Sequence, residues 1–143
     1  MKSFLSLSAC LIGILALSGC ATKSDESTSL EKRFKRADQD GNGNISRKEY
    51  EDYMIEEMFA LFDEDGNGTI SEAEFIADGG TAKTFKKLNR SGSGQLTLDE
   101  AKSSQLIRDH LAAPFNEADT NKSGSVTWDE FEVYRAKARD YVR

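Results

Sequence analysis

The sequence predicts an all-α domain of four closely spaced helix-loop-helix units that share connecting helices, and three observations carry that prediction. A twelve-residue segment rich in Asp, Asn, Gly and Ser, closing on Glu, recurs four times, at 38–49, 63–74, 89–100 and 119–130. The chain between recurrences places apolar residues at helical spacing. The segment starts lie only 25, 26 and 30 residues apart, which is too little chain for two full helices between the first and second segments.

Length and composition narrow the function. At 143 residues the chain fits about one domain. Its net charge of −6 argues against a phosphate backbone as partner, because counterion displacement needs a basic stripe. With one histidine, His110, and no catalytic constellation in view, an enzyme is not expected.

MKSFLSLSACLIGILALSGC opens on a lysine, runs apolar from Phe4 to Leu17 and ends in small residues before Cys20. This is the pattern of a signal peptide over residues 1–19. Its apolar run is shorter than the roughly 20 residues that span a bilayer as a helix. The quartet Leu17-Ser18-Gly19-Cys20 resembles the lipobox of bacterial lipoproteins. The resemblance implies cleavage before Cys20, lipidation of Cys20 and anchoring in the cell envelope, since several acyl chains hold a membrane stably where one does not. Ala21 is not the aspartate that signals inner-membrane retention in such lipoproteins, so the resemblance favours the outer membrane. Residues 20–29 then read as the lipidated cysteine and a flexible tether, ATKSDESTS being small and polar. Cys10 falls in the removed segment, so Cys20 is left without an intramolecular disulfide partner. Loss of Lys2 takes the formal charge from −6 to −7.

In DQDGNGNISRKE, residues 38–49, and DEDGNGTISEAE, residues 63–74, oxygen-bearing side chains alternate before a final glutamate. Both satisfy the calcium-loop pattern of acidic or amide residues at places 1, 3 and 5, glycine at 6 and glutamate at 12. Ca²⁺ is a hard cation that takes six to eight oxygens at about 2.3–2.6 Å, and alternate residues of a tight loop can converge on it. The first loop offers Asp38, Asp40, Asn42, the Asn44 carbonyl, Ser46 through a water, and Glu49 with both oxygens. The second offers Asp63, Asp65, Asn67, Thr69, Ser71 and Glu74 in the same roles. Ile45 and Ile70, at place 8, suit a short β contact with a partner loop.

These motifs resemble the EF-hand family, and the resemblance extends over nearly all of the chain from Leu30 onward. DTNKSGSVTWDE, residues 119–130, offers Asp119, Asn121, Ser123, Ser125 and Glu130, and with two carboxylates it is expected to bind more weakly. NRSGSGQLTLDE, residues 89–100, has Asn89, Ser91 and Ser93 where carboxylates belong and keeps only Glu100. So little charge offsets ion dehydration poorly, so the loop is expected to be empty or weak and to serve as structural partner to another hand.

Tyr50–Phe62 holds no Gly or Pro and reads as one helix, with Tyr50, Tyr53 and Met54 serving the first loop and Ile55, Met58, Phe59 and Phe62 the second. At about 1.5 Å per residue it would hold those loops some 20 Å apart. Loop 1 is therefore expected to pair with loop 3 and loop 2 with loop 4. Asp78-Gly79-Gly80 is a candidate break in the second connector, and Pro114 a candidate helix start in the third. Phe34, Phe75, Phe85, Phe115, Phe131 and Tyr134 read as core, and Trp128 as a fluorescent reporter inside loop 4.

The expected function is calcium binding by a lipid-anchored envelope protein, as sensor or buffer. The alternative is a calcium-stabilised structural or docking protein for another envelope component. The expected partners are calcium ions, the membrane through Cys20 and an unidentified protein, with no nucleic acid.

Overall fold

The computed structural model describes the backbone of residues 23–140 and the side chains of residues 29–137. The lipobox and Cys20 lie outside the described residues. In chain order the elements are α1 (Lys23–Ala37), β1 (Asn44–Ser46), α2 (Arg47–Phe62), β2 (Thr69–Ser71), α3 (Glu72–Ala77), α4 (Ala82–Leu88), β3 (Gln95–Thr97), α5 (Leu98–Lys102), α6 (Gln105–Ala118), β4 (Ser125–Thr127) and α7 (Trp128–Asp140). The all-α expectation is amended by the four three-residue strands. No described helix is long and apolar enough to cross a membrane.

The described residues form two compact units, named here for their place in the sequence. The medial unit is residues 54–111, and the terminal unit combines residues 23–53 with 112–140.

In the medial unit β2 pairs antiparallel with β3, Ile70 opposite Leu96. The local reason is at residues 78–80. After α3 the chain turns through Gly79 at φ 87°. The Gly80 N–H donates to the Phe75 carbonyl (2.9 Å) and the Gly79 N–H to the Ile76 carbonyl (3.0 Å). This is a Schellman C-cap, which ends a helix by satisfying its last carbonyls. Thr81 then caps α4, accepting from the Thr84 N–H. The connector is thus two short helices instead of one, and loops 2 and 3 can meet. Ile55, Met58, Phe59, Phe62, Phe75 and Phe85 are all buried here, with the Phe75 ring 5.7 Å from both Phe62 and Phe85.

In the terminal unit β1 pairs antiparallel with β4, Ile45 opposite Val126, both with no exposed surface. Phe34 from α1 meets Trp128 edge-on at 5.3 Å and Phe131 at 5.5 Å. Tyr50 meets Phe115 at 5.4 Å. Aromatic pairs in such edge-to-face geometry stabilise beyond their buried area.

Three expectations are corrected. Loop 1 pairs with loop 4 and loop 2 with loop 3, instead of 1 with 3 and 2 with 4. Loops 1 and 2 remain unpaired with each other, as expected from the unbroken α2 between them, but the break at Asp78-Gly79-Gly80 decides the rest. Pro114 lies inside α6 instead of opening it. The backbone is helical from Lys23, so the expected tether is helix over residues 23–29. That stretch has no Gly or Pro to interrupt a helix. Of the expected core aromatics, Phe34, Phe75, Phe85, Phe115 and Phe131 are buried, while Tyr134 is half-buried.

Candidate metal centres

Each loop follows a helix end and runs into a strand and the next helix. In loop 1 the Asp38 side chain accepts from the Asn42 N–H (3.1 Å) and the Gly43 N–H (2.9 Å). Asp40 accepts from the Asn42 N–H (3.0 Å), and Asn42 Oδ1 from the Asn44 N–H (2.8 Å). Loop 2 repeats this with Asp63, Asp65, Asn67 and the Thr69 N–H. Gly43 and Gly68 take φ 83° and 84°, the left-handed region that glycine enters at no steric cost.

The closing glutamate ties each loop across its width. Glu49 Oε1 accepts from the N–H groups of Gln39 (2.9 Å) and Asp40 (3.1 Å), while Oε2 accepts from the Ser46 N–H (2.8 Å). Glu74 bridges in the same way to Glu64 (3.1 Å) and Ser71 (2.7 Å). Burial pushes the Glu49 carboxyl up, but the Ser46 hydroxyl and the backbone N–H groups outweigh it, leaving it below the usual range. The Ser71 N–H and hydroxyl lower Glu74.

One role lies outside the calcium-loop pattern. Ser71 accepts from the Glu74 N–H while Glu74 accepts from the Ser71 N–H, a capping box that starts α3, and Thr97 with Glu100 does the same for α5. Ser46 with Glu49 and Thr127 with Glu130 make the same reciprocal bonds. The place-9 residue, expected to reach an ion through water, is thus the start signal of the following helix. The signal is legible as Ser/Thr-x-x-Glu in all four loops.

The structure brings Asp38, Asp40 and Glu49 together, and likewise Asp63, Asp65 and Glu74, with one carboxylate oxygen from each residue inside 4.8 Å of the others. Oxygen-only donors with three negative charges fit a hard divalent cation. Loop 4 has the same backbone frame: Asp119 accepts from Ser123 (2.9 Å) and Gly124 (2.8 Å), Asn121 from Ser123 (2.8 Å), and Glu130 from Asn121 (3.1 Å) and Thr127 (3.0 Å). It gathers only two carboxylates, Asp119 and Glu130, both buried. Burial raises Glu130, but bonds from Thr127, Asn121 and Thr120 prevail and hold it at about 2. The Ser123 hydroxyl donates to the Ser125 carbonyl (2.9 Å), so both expected donors are engaged with each other. At place 4, where loops 1 to 3 carry Gly41, Gly66 and Gly92 at positive φ, loop 4 has Lys122 at φ 58°.

Loop 3 differs in kind. Ser91 Oγ donates to Asn89 Oδ1 (3.0 Å), and Ser93 Oγ to the Gln95 carbonyl (2.7 Å). Glu100 alone is charged among these places, and the Ser91 and Thr97 N–H groups lower it to about 2.

Comparison with known proteins agrees with this geometry. An EF hand domain model matches residues 54–77, and a second EF hand model matches residues 30–54 and 111–133. Those stretches take in the whole of loops 1, 2 and 4. No match was found among curated proteins.

Proposed function

We propose, for a chain that carries EF-hand domains and is thereby a calcium binder, that it binds calcium at the cell envelope as a sensor or buffer, held there by lipid on Cys20. The observation that carries the calcium part is the convergence of Asp38, Asp40 and Glu49, and of Asp63, Asp65 and Glu74. Residues 89–100 complete four helix-loop-helix units, of which loops 1, 2 and 4 take ions. In the first two, places 1, 3, 5, 7 and 12 supply the oxygens. In the third, Asp119, Asn121, Ser123, the Ser125 carbonyl and Glu130 do so with one charge fewer.

Three ions would add six positive charges to a domain of about −7, relieving self-repulsion and favouring the folded form. The lipid anchor rests on the lipobox resemblance at Leu17-Ser18-Gly19-Cys20. The absence of an acid-base or nucleophilic constellation in the sequence supports a binding protein over an enzyme.

A second reading, in which calcium holds the shape of a docking component, is favoured by the burial of nearly all large apolar side chains. Among the described residues only Leu61, Ile76 and Val133 are exposed large hydrophobics.

The test is a calorimetric calcium titration with circular dichroism and an apolar dye. Heats fitting about three sites support calcium binding, and none at millimolar calcium overturns it. Dye binding that rises with calcium supports the sensor, and dye binding that stays low supports the docking reading. Mass spectrometry of the protein from membranes, showing acyl chains on Cys20 or an unmodified thiol, decides the anchor.

A further inference from the structure

The medial unit is acidic, with eleven Asp and Glu against six Lys and Arg, yet its charges are sorted along the chain. Residues 79–98 hold no Asp or Glu, and four of the six cations, Lys83, Lys86, Lys87 and Arg90, fall inside that stretch. All four are exposed.

Helical spacing gathers them. Lys83, Lys86 and Lys87 stand at i, i+3 and i+4 on α4, which puts them on one face, and Arg90 continues the spacing at i+7 just past the helix end. The other face carries Phe85 and Leu88, both buried, with the Phe85 ring 5.7 Å from that of Phe75. The core therefore holds α4 with its lysines outward.

Nothing neutralises this stripe. Lys83, Lys86 and Lys87 enter no ion pair among the described residues, whereas Lys102 of the same unit meets Glu56 at 2.6 Å. Arg90 donates from Nη2 to the Ser103 carbonyl (3.3 Å), which leaves its charge unpaired. Like charges at i,i+3 and i,i+4 repel and destabilise a helix. Lys86 and Lys87 suit the negative end of the α4 dipole, but that accounts neither for Lys83, at the positive end, nor for the missing acids.

Loop 3 extends the pattern. Carboxylates at its places 1 and 3, as in loops 1 and 2, would set a negative charge on either side of Arg90. With Asn89 and Ser91 there instead, the positive stripe runs unbroken from α4 into the loop.

We propose that this stripe docks the medial unit on the anionic phosphate headgroups of the membrane that holds the chain. The proposal rests on the lipid-anchor reading above and adds which face meets the membrane. A Lys or Arg beside an anionic leaflet favours the bound state roughly fivefold, and the attraction reaches only about a Debye length, so it orients a domain that acyl chains already keep at the surface. Nucleic acid is the poorer match, because the chain is acidic as a whole, while the anchor supplies the membrane at high effective concentration.

The test is amine-reactive footprinting of the full lipidated chain, extracted from membranes and reconstituted in phosphatidylcholine vesicles with or without phosphatidylglycerol, read lysine by lysine by mass spectrometry. Lys32, Lys35 and Lys122, exposed and in the terminal unit, are internal controls. Phosphatidylglycerol is expected to slow labelling of Lys83, Lys86 and Lys87 at least ~5-fold relative to the controls, and about 1 M salt to remove the difference. Lys86→Glu should weaken docking roughly fivefold or more, bringing Lys83 and Lys87 back toward the control rate, with circular dichroism to verify the fold.

Equal labelling in the two kinds of vesicle overturns the docking face, as does protection shared by Lys32, Lys35 and Lys122. Protection by an added single-stranded oligonucleotide and not by phosphatidylglycerol assigns the stripe to nucleic acid and overturns the proposal too. An unmodified Cys20 thiol refutes the anchor by itself. The footprint is then taken with vesicles added to the unanchored chain, where protection of the three α4 lysines upholds the face and its absence overturns it.

Discussion

Alanine at position 80 should unfasten the medial unit. A Cβ on Gly80 would lie 2.3 Å from Cδ1 and Cε1 of Phe75 and 2.4 Å from the Phe75 carbonyl oxygen. Ordinary contact begins near 3.4 Å, so something must move by about 1 Å. The ring has little freedom, because Phe62 and Phe85 each sit 5.7 Å from its centroid. Rotating it away would not help in any case, since the carbonyl oxygen belongs to the backbone and accepts the Gly80 N–H at 2.9 Å. Overpacking of this kind costs about 1–3 kcal/mol, and losing the capping bond adds about 0.5–1.5 kcal/mol. A destabilisation of about 1.5–4.5 kcal/mol follows, equivalent to a loss of amide protection of roughly tenfold to fifteen-hundredfold at a factor of ten per 1.4 kcal/mol. Hydrogen exchange at the β2 and β3 amides, with urea unfolding followed by circular dichroism, measures it. Gly79→Ala should cost about 1–2 kcal/mol through its φ of 87°. Wild-type protection of Ile70 and Leu96 in Gly80→Ala would refute the role given to this turn.

Lys122→Gly should relax the left-handed place-4 turn of loop 4, gaining about 0.5–1 kcal/mol once glycine's greater unfolded entropy is offset, read as a higher melting temperature and tighter calcium at Gly124. Pro114→Ala should stabilise α6 by up to about 3 kcal/mol, because an interior proline removes a helical donor and crowds the preceding turn; thermal unfolding checks it. Glu100 has its folded pKa lowered to about 2 by the Ser91 and Thr97 N–H groups, so its contribution is complete above the unfolded value near 4.5 and is lost as pH falls toward 2. In chelator, Glu100→Gln should therefore flatten the pH dependence of medial-unit stability between those limits, and an unchanged slope would contradict the bonds assigned to Glu100.

Whatever this protein writes in local residue order is legible in its sequence. Four loops ending on glutamate, their ranking by carboxylate count and the continuous helix through Tyr50–Phe62 all depend on residues close together in the chain. That helix divides its buried side chains as its spacing suggests: Tyr50 packs against Phe115, and Phe62 against Phe75. Strand pairing is not legible in the same way. Ile45 and Ile70 look alike, and nothing in either strand says whether Leu96 or Val126 lies opposite. The choice is made at Gly79 and Gly80, whose conformation turns a connector into two helices. Pro114 misleads for the opposite reason, since its local preference for a helix start yields to a helix already under way from Gln105. The Ser and Thr hydroxyls at place 9 enter the calcium-loop pattern only as metal donors, although a residue three places before glutamate is equally a helix cap.

The β1–β4 ladder also sets an order of assembly. A chain made from its N-terminus completes the medial unit's contiguous stretch, 54–111, while β1 still lacks a partner, because Val126 has yet to be added. Domains form as units as their residues appear, and contacts between distant segments come last. Residues 23–53 must therefore wait with Phe34, Ile45 and Tyr50 uncovered until residues 112–140 arrive. A ribosome that stops after residue 111 would leave a chain with one unit whole and the first strand of the other still seeking its match.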